Sequence, residues 1–170
     1  MGVTIHYEGR LRDEAAFEAA IARVQDFCAR HGWENSRFDV ASATLQRVVN
    51  EQDVDYVGPS KGIEVMPHPG AEPLAFEFDR SLYVQEFCKT QFAGPAVHMQ
   101  VISLLEDVAP FFETLTVEDE GEYWGTHDEA LLISHLNKVE AMLADYLTEN
   151  PDAYGPIRLP SGRIVDVHRD

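Results

Sequence analysis

The sequence predicts an α+β fold in which about three helices pack, as a single pair of layers, on a mostly antiparallel sheet. Three observations lead there. Segments with period-two alternation recur along the chain, and segments with helical spacing separate them. Most of the strand-like segments are joined by short turns, not by the long crossovers that a parallel sheet needs. With 170 residues and 45% hydrophobic content, the chain is expected to form one domain, residues 1–170, around one sizeable core.

The elements follow in order. Val3, Ile5 and Tyr7 alternate with Thr4 and His6, the pattern of a half-buried strand. A helix should run from Asp13, as N-cap, to His31: Phe17, Ala20, Ile21, Val24, Phe27 and Cys28 recur at helical spacing, and Gly32 supplies the stop. Residues 34–62 carry no clear period, and a strand is expected there only around Phe38–Val49. Ile63–Met66 and Leu74–Asp79 read as strands joined by the turn-rich PHPGAEP. The aromatic and β-branched content of Ser81–Phe92 leans towards strand.

Pro95 suits the first turn of a helix that should reach about Ala109, with Val97, Val101, Leu104, Leu105 and Val108 inward. Leu115 and Val117 mark another strand. The last helix is expected from Thr126, spaced from Glu129 as a capping box, to Asn150-Pro151. Its inner face would carry Leu132, His135, Leu136, Val139, Leu143 and Tyr146. The tail IRLPSGRIVDV reads as a hairpin at about 157–168, turning at Pro160-Ser161-Gly162. VQDFC and VQEFC, at Val24 and Val84, match at four of five positions, but the flanks do not extend the match and it is read as chance.

Charge narrows the partners. Lys and Arg total 13 against 30 Asp and Glu, a formal charge of −17. Such a surface repels phosphate backbones and anionic membranes, and draws a basic protein or a cation instead. Solubility alone would also account for it. Cys28 and Cys88 form neither a CxxC pair nor a disulfide framework, no apolar run is long enough for a membrane span, and no signal core opens the chain. A reducing cytoplasm is the expected setting.

Four stretches are candidates for chemistry. Asp53–Glu64 has the acids and the glycine of an EF-hand loop, but Val57 stands where an oxygen ligand belongs and no helix flanks it. In CKTQFAGPAVHMQV, free N–H groups at the start of the Pro95 helix would take an anion, with Arg80, Lys89, Thr90 and His98 as the candidate ligand-binding residues; a simple helix start explains the same residues. His98 and His135 lie on or beside apolar stripes, where hydrogen-bonded core histidines are commoner than bases. In VEDEGEYWGTHDEALL, Asp119, Glu120, Glu122, Tyr123 and Trp124 are candidate partner-binding residues, an acidic patch with aromatic anchors. His127 and Asp128 add donors, but without a diagnostic spacing no metal site is expected, and no cofactor motif is present.

FEFDRSLYVQEFCKTQFAGPAVHMQV and LTVEDEGEYWGT resemble segments of a small uncharacterised bacterial protein family. The resemblance implies a single compact bacterial domain and carries no activity over to this chain. Ser and Cys residues lack a nucleophile elbow, and no dinucleotide fingerprint follows a strand. The preferred reading is a non-catalytic acidic binding module for a basic protein. The alternative is a small enzyme or ligand-binding protein with a cleft between the Lys89 segment and the Tyr123-Trp124 loop.

Overall fold

The computed structural model describes residues 2–170. The chain order is β1 (Thr4–Leu11), α1 (Glu14–His31), β2 (Glu34–Val49), β3 (Gln52–Met66), β4 (Leu74–Phe78), β5 (Tyr83–Lys89), α2 (Pro95–Val108), β6 (Phe112–Asp119), α3 (Tyr123–Thr126) and α4 (Glu129–Glu149). Four two-residue strands close the chain: β7 (Ala153–Tyr154), β8 (Ile157–Arg158), β9 (Ile164–Val165) and β10 (His168–Arg169). The fold is α+β, and every strand pairing is antiparallel.

Two three-stranded sheets carry the architecture, in the orders β5-β1-β6 and β2-β3-β4. Alternation along β1 turns Ile5, Tyr7 and Leu11 into the core and leaves His6 and Arg10 outside. Phe17, Ile21, Val24 and Phe27 of α1, with Val101, Leu104 and Leu105 of α2, cover the inward residues of both sheets. The α1 cap is as the sequence reads it: Asp13 accepts from the N–H of Ala16, and Gly32 takes the left-handed conformation at φ 67°. The turn from β4 to β5 is closed by Asp79, whose N–H donates to the Tyr83 carbonyl (3.0 Å). Farther along, the Tyr7 hydroxyl reaches across to the Ala75 carbonyl (2.6 Å).

The long β2–β3 hairpin fills the region where the sequence carries no clear period. It turns at Asn50 and Glu51, both at positive φ (51° and 63°), as a tight hairpin with right-handed strand twist requires. Its register shifts between Val40 and Ala43, a bulge that bends the outer half. That outer half reaches to β5, where the Gln85 side chain accepts from the Val48 N–H (2.7 Å) and donates to the Val48 carbonyl (3.0 Å). Both faces of this arm are largely exposed, so its sequence shows no hydrophobic alternation. Asp53–Glu64, the EF-hand-like segment, is extended strand throughout, which sends successive side chains to opposite faces instead of around a cation.

The last helix starts later than Thr126. Thr126 ends the short α3, its hydroxyl donating to the Glu122 carbonyl (2.5 Å) and accepting from the Asp128 N–H (3.1 Å). Asp128 is the cap of α4, accepting from the Leu131 N–H (3.0 Å). Of the expected inner face of α4, only Leu132 and Leu136 are buried. The tail hairpin is made of β8 with β9 and is extended by β7 with β10. Glu72 fastens it to the body: one carboxylate oxygen accepts from the Lys89 N–H and the other from the Ile164 N–H, both at 2.9 Å.

The cap assignment has a direct test. Asp128→Ala should lower the unfolding free energy by about 0.5–2 kcal/mol in urea denaturation, the cost of an orphaned N-terminal N–H. Thr126→Ala should cost less, since it leaves the α4 cap in place.

Candidate functional site

One buried polar chain joins three elements. Thr90 follows β5, His98 lies in the first turns of α2, and Asp119 ends β6. The Thr90 hydroxyl is 2.7 Å from His98 Nδ1, and His98 Nε2 is 3.0 Å from an Asp119 carboxylate oxygen. The carboxylate favours the tautomer protonated at Nε2, so Nδ1 accepts from Thr90. The Nε2 contact is close but off-axis for a hydrogen bond, so its attraction is mainly electrostatic. Asp119 also accepts from the N–H groups of Gly121, Tyr123 and Trp124 at 2.8–2.9 Å. Burial alone would raise this carboxyl, but His98 and the N–H groups of Trp124 and Gly121 outweigh it and hold it below the ordinary aspartate value.

Hydroxyl, imidazole and carboxylate in this order are the parts of a nucleophilic triad. Here Thr90 and His98 are fully buried, and Gly121 and Leu132 close over the ring: a Cβ at Gly121 would stand 3.0 Å from the imidazole and 2.7 Å from Leu132. A nucleophile needs contact with substrate, so the chain reads as a clamp between β5, α2 and β6.

The other sequence candidates are dispersed. Arg80 lies before β5 and Lys89 at its far end; Lys89 Nζ is held by Asp166 (2.7 Å) and by the Ile164 carbonyl (3.0 Å). Glu120 accepts from the Thr4 N–H (2.7 Å), and Glu122 meets His135 (2.5 Å). Tyr123 and Trp124 pack against the core and do not protrude. Both cysteines are buried, and burial pushes the Cys88 thiol well up, away from the thiolate a nucleophile needs. Among the described residues, no three His, Cys, Asp or Glu side chains converge as a metal site.

A wide concavity lies elsewhere, between the bent hairpin arm and the outer side of the β5-β1-β6 sheet. It measures about 980 Å³ and is lined by His6, Glu8, Glu77, Gln85, Glu86, Phe87, Thr116, Glu118 and Arg163 on one side, and by Thr44–Val48, Asp53 and Asp55 of the arm on the other. Six of these residues are acids, and half of them are already engaged. Glu8 accepts from the Tyr83 hydroxyl and from Gln85, two bonds that lower its carboxyl. Glu77 accepts from Ser60 (2.6 Å), and Glu86 pairs with Arg163 (3.3 Å). Burial still raises the Glu86 carboxyl, outweighing Arg163. Asp53, Asp55 and Glu118 have no side-chain partner among the described residues. Arg47 also lines the cleft, at 6% exposure; it donates once, to the Gln85 carbonyl (3.2 Å), while its Nε and Nη2 have no acceptor.

Sequence reasoning missed this cleft because its residues come from six strands and from Arg163 of the tail. One signal was present in Asp53-Val54-Asp55, which places two acids on one face of a strand. Comparison of the chain with protein-family models, curated proteins and solved structures found no significant match.

Two expectations follow. Asp119→Asn should destabilise the protein near neutral pH by about 2–5 kcal/mol, because an amide leaves part of the buried donor set unpaired. A carboxyl with a lowered folded-state pKa contributes stability above its unfolded value and loses it as pH falls through the folded value. The gap between wild type and variant should therefore shrink as urea melts move into acid. Glu86 has the opposite sign. Its raised carboxyl binds protons more tightly when folded, so it costs stability as pH rises through the shifted value. Glu86→Gln should be as stable as wild type below about pH 4 and more stable above the window.

Proposed function

We propose that the protein is a non-catalytic binding module and that the cleft under the β2–β3 arm receives a cationic segment of a basic protein. The observation that carries this reading is the trio Asp53, Asp55 and Glu118: carboxylates without partners on two walls of one cleft. Carboxylates so placed concentrate negative potential in a concave, partly desolvated space, where a lysine or arginine side chain is attracted more strongly than on an open surface. Phe87, Leu45 and Val48 supply apolar contact for the stems of such side chains. The formal charge of −17 adds long-range attraction for a basic partner and disfavours nucleic acid and anionic membrane. No helix among the described residues is long and apolar enough to cross a membrane. A reducing cytoplasm, with Cys28 and Cys88 as free buried thiols, belongs to the same reading.

A second reading, a small-ligand site, is favoured by Arg47 alone. Its free Nε and Nη2 form the side-on edge that takes a carboxylate with two parallel bonds. In that case the ligand would combine an acid with a cationic group.

Titration with an extended lysine-rich peptide, free acid and amide, separates the two. The cationic-segment reading expects both forms to bind, with Asp53→Lys/Asp55→Lys weakening them at least about tenfold at low salt. Binding unchanged by that variant would overturn the reading. A marked preference for the free acid, lost in Arg47→Met, would favour the small-ligand site.

A further inference from the structure

We propose that the distal half of α4 is a second docking surface and that its occupant is a basic amphipathic helix of a partner protein. The inference goes beyond the cleft and does not depend on it.

The apolar stripe of α4 outruns the body it packs on. Leu132 and Leu136 are buried, whereas farther along Met142 is 41% exposed and Tyr146 is 40% exposed. Val139, Met142, Leu143 and Tyr146 continue the helical spacing, so they share a face. They form one wall of an apolar groove of about 440 Å³, closed on the other side by Gln91 and Val167. Methionine and tyrosine on an open helix face suit a partner surface: one adapts its shape, the other brings rigid contact area at low entropic cost.

Charge identifies the occupant. Asp145 and Glu149 also line the groove, four residues apart on α4. Like charges at this spacing repel, and acids in the last turns oppose the negative end of the helix dipole. The last turn of α4 contains no basic residue. The nearby cations are committed: Lys89 to Asp166, the third acid of the groove, and Arg169, which lies beside Tyr146, to Asp152. This helix end is locally uncompensated, and cations along the polar flank of an incoming helix would compensate it while its apolar face covers Met142 and Tyr146. A second copy of this chain fits poorly, because it would bring the same acids and another −17 to the contact.

The probe is a labelled helical peptide of about fifteen residues, with leucines on one face and lysines on the other. Wild type should bind it. Met142→Ser/Tyr146→Ser and Asp145→Lys/Glu149→Lys should each weaken binding at least about tenfold. Asp53→Lys/Asp55→Lys, in the cleft, should leave it within about twofold, so failure of either site is read separately. The lysine pair should also raise the Tm of the unliganded protein, because it reverses the opposition to the dipole. The inference is overturned by no binding, by equal binding of a peptide of the same composition in non-amphipathic order, or by loss of binding in the cleft variant instead. A fall in the Tm of the lysine pair would overturn it too, as would sedimentation of a dimer that Met142→Ser/Tyr146→Ser dissociates.

Discussion

The buried carboxylate of Asp119 organises the side of the molecule where β5, α2 and β6 meet. A charge taken out of water is tolerated only when donors surround it, and here three backbone N–H groups do so, with the His98 ring beside them. One N–H group, of Gly121, belongs to the loop that leaves β6 and the other two open α3, so the carboxylate sets the path of the chain into α3 and then α4. Through His98 and Thr90 it also fixes α2 against the end of β5. Gly121 has to be glycine for the same reason, since any side chain would meet the imidazole and Leu132. The clamp spends the most reactive-looking residues of the chain on architecture.

Glu72 performs the corresponding task at the tail. Its two oxygens accept backbone N–H groups from β5 and β9, and Arg163 adds a further contact at 3.3 Å while its guanidinium lies 3.9 Å from the Phe87 ring centre. With these acids satisfied internally, the surplus negative charge is left to the surface, the cleft and the end of α4. The working surfaces proposed above are the places where carboxylates lack protein donors and apolar side chains stay uncovered. One is made by a bulge that bends a long hairpin over a sheet, the other by a helix longer than its support.

Much of the fold was legible because local chemistry decided it. Asp13 and Gly32 bound α1, Pro95 opens α2, and the alternation of Leu74, Phe76 and Phe78 marks β4, since each of these signals needs only near neighbours in the chain. At Thr126 the tertiary structure overrode the local signal. Thr126 and Asp128 are both competent caps; Thr126 is drawn into α3, whose start Asp119 holds, and Asp128 is left to begin α4.

The sequence by itself determined the α+β class, the main helices and the acidity, because composition and periodicity act residue by residue. It did not determine the outer hairpin, whose strands are stabilised by pairing with each other and by the Gln85 contact to β5, not by a buried face of their own. Nor did it determine which acids are free. Asp119 and Asp53 are the same chemical group in the sequence, and only the fold gives one its donors and leaves the other facing a cleft. Partnership between side chains distant in sequence is a property of packing.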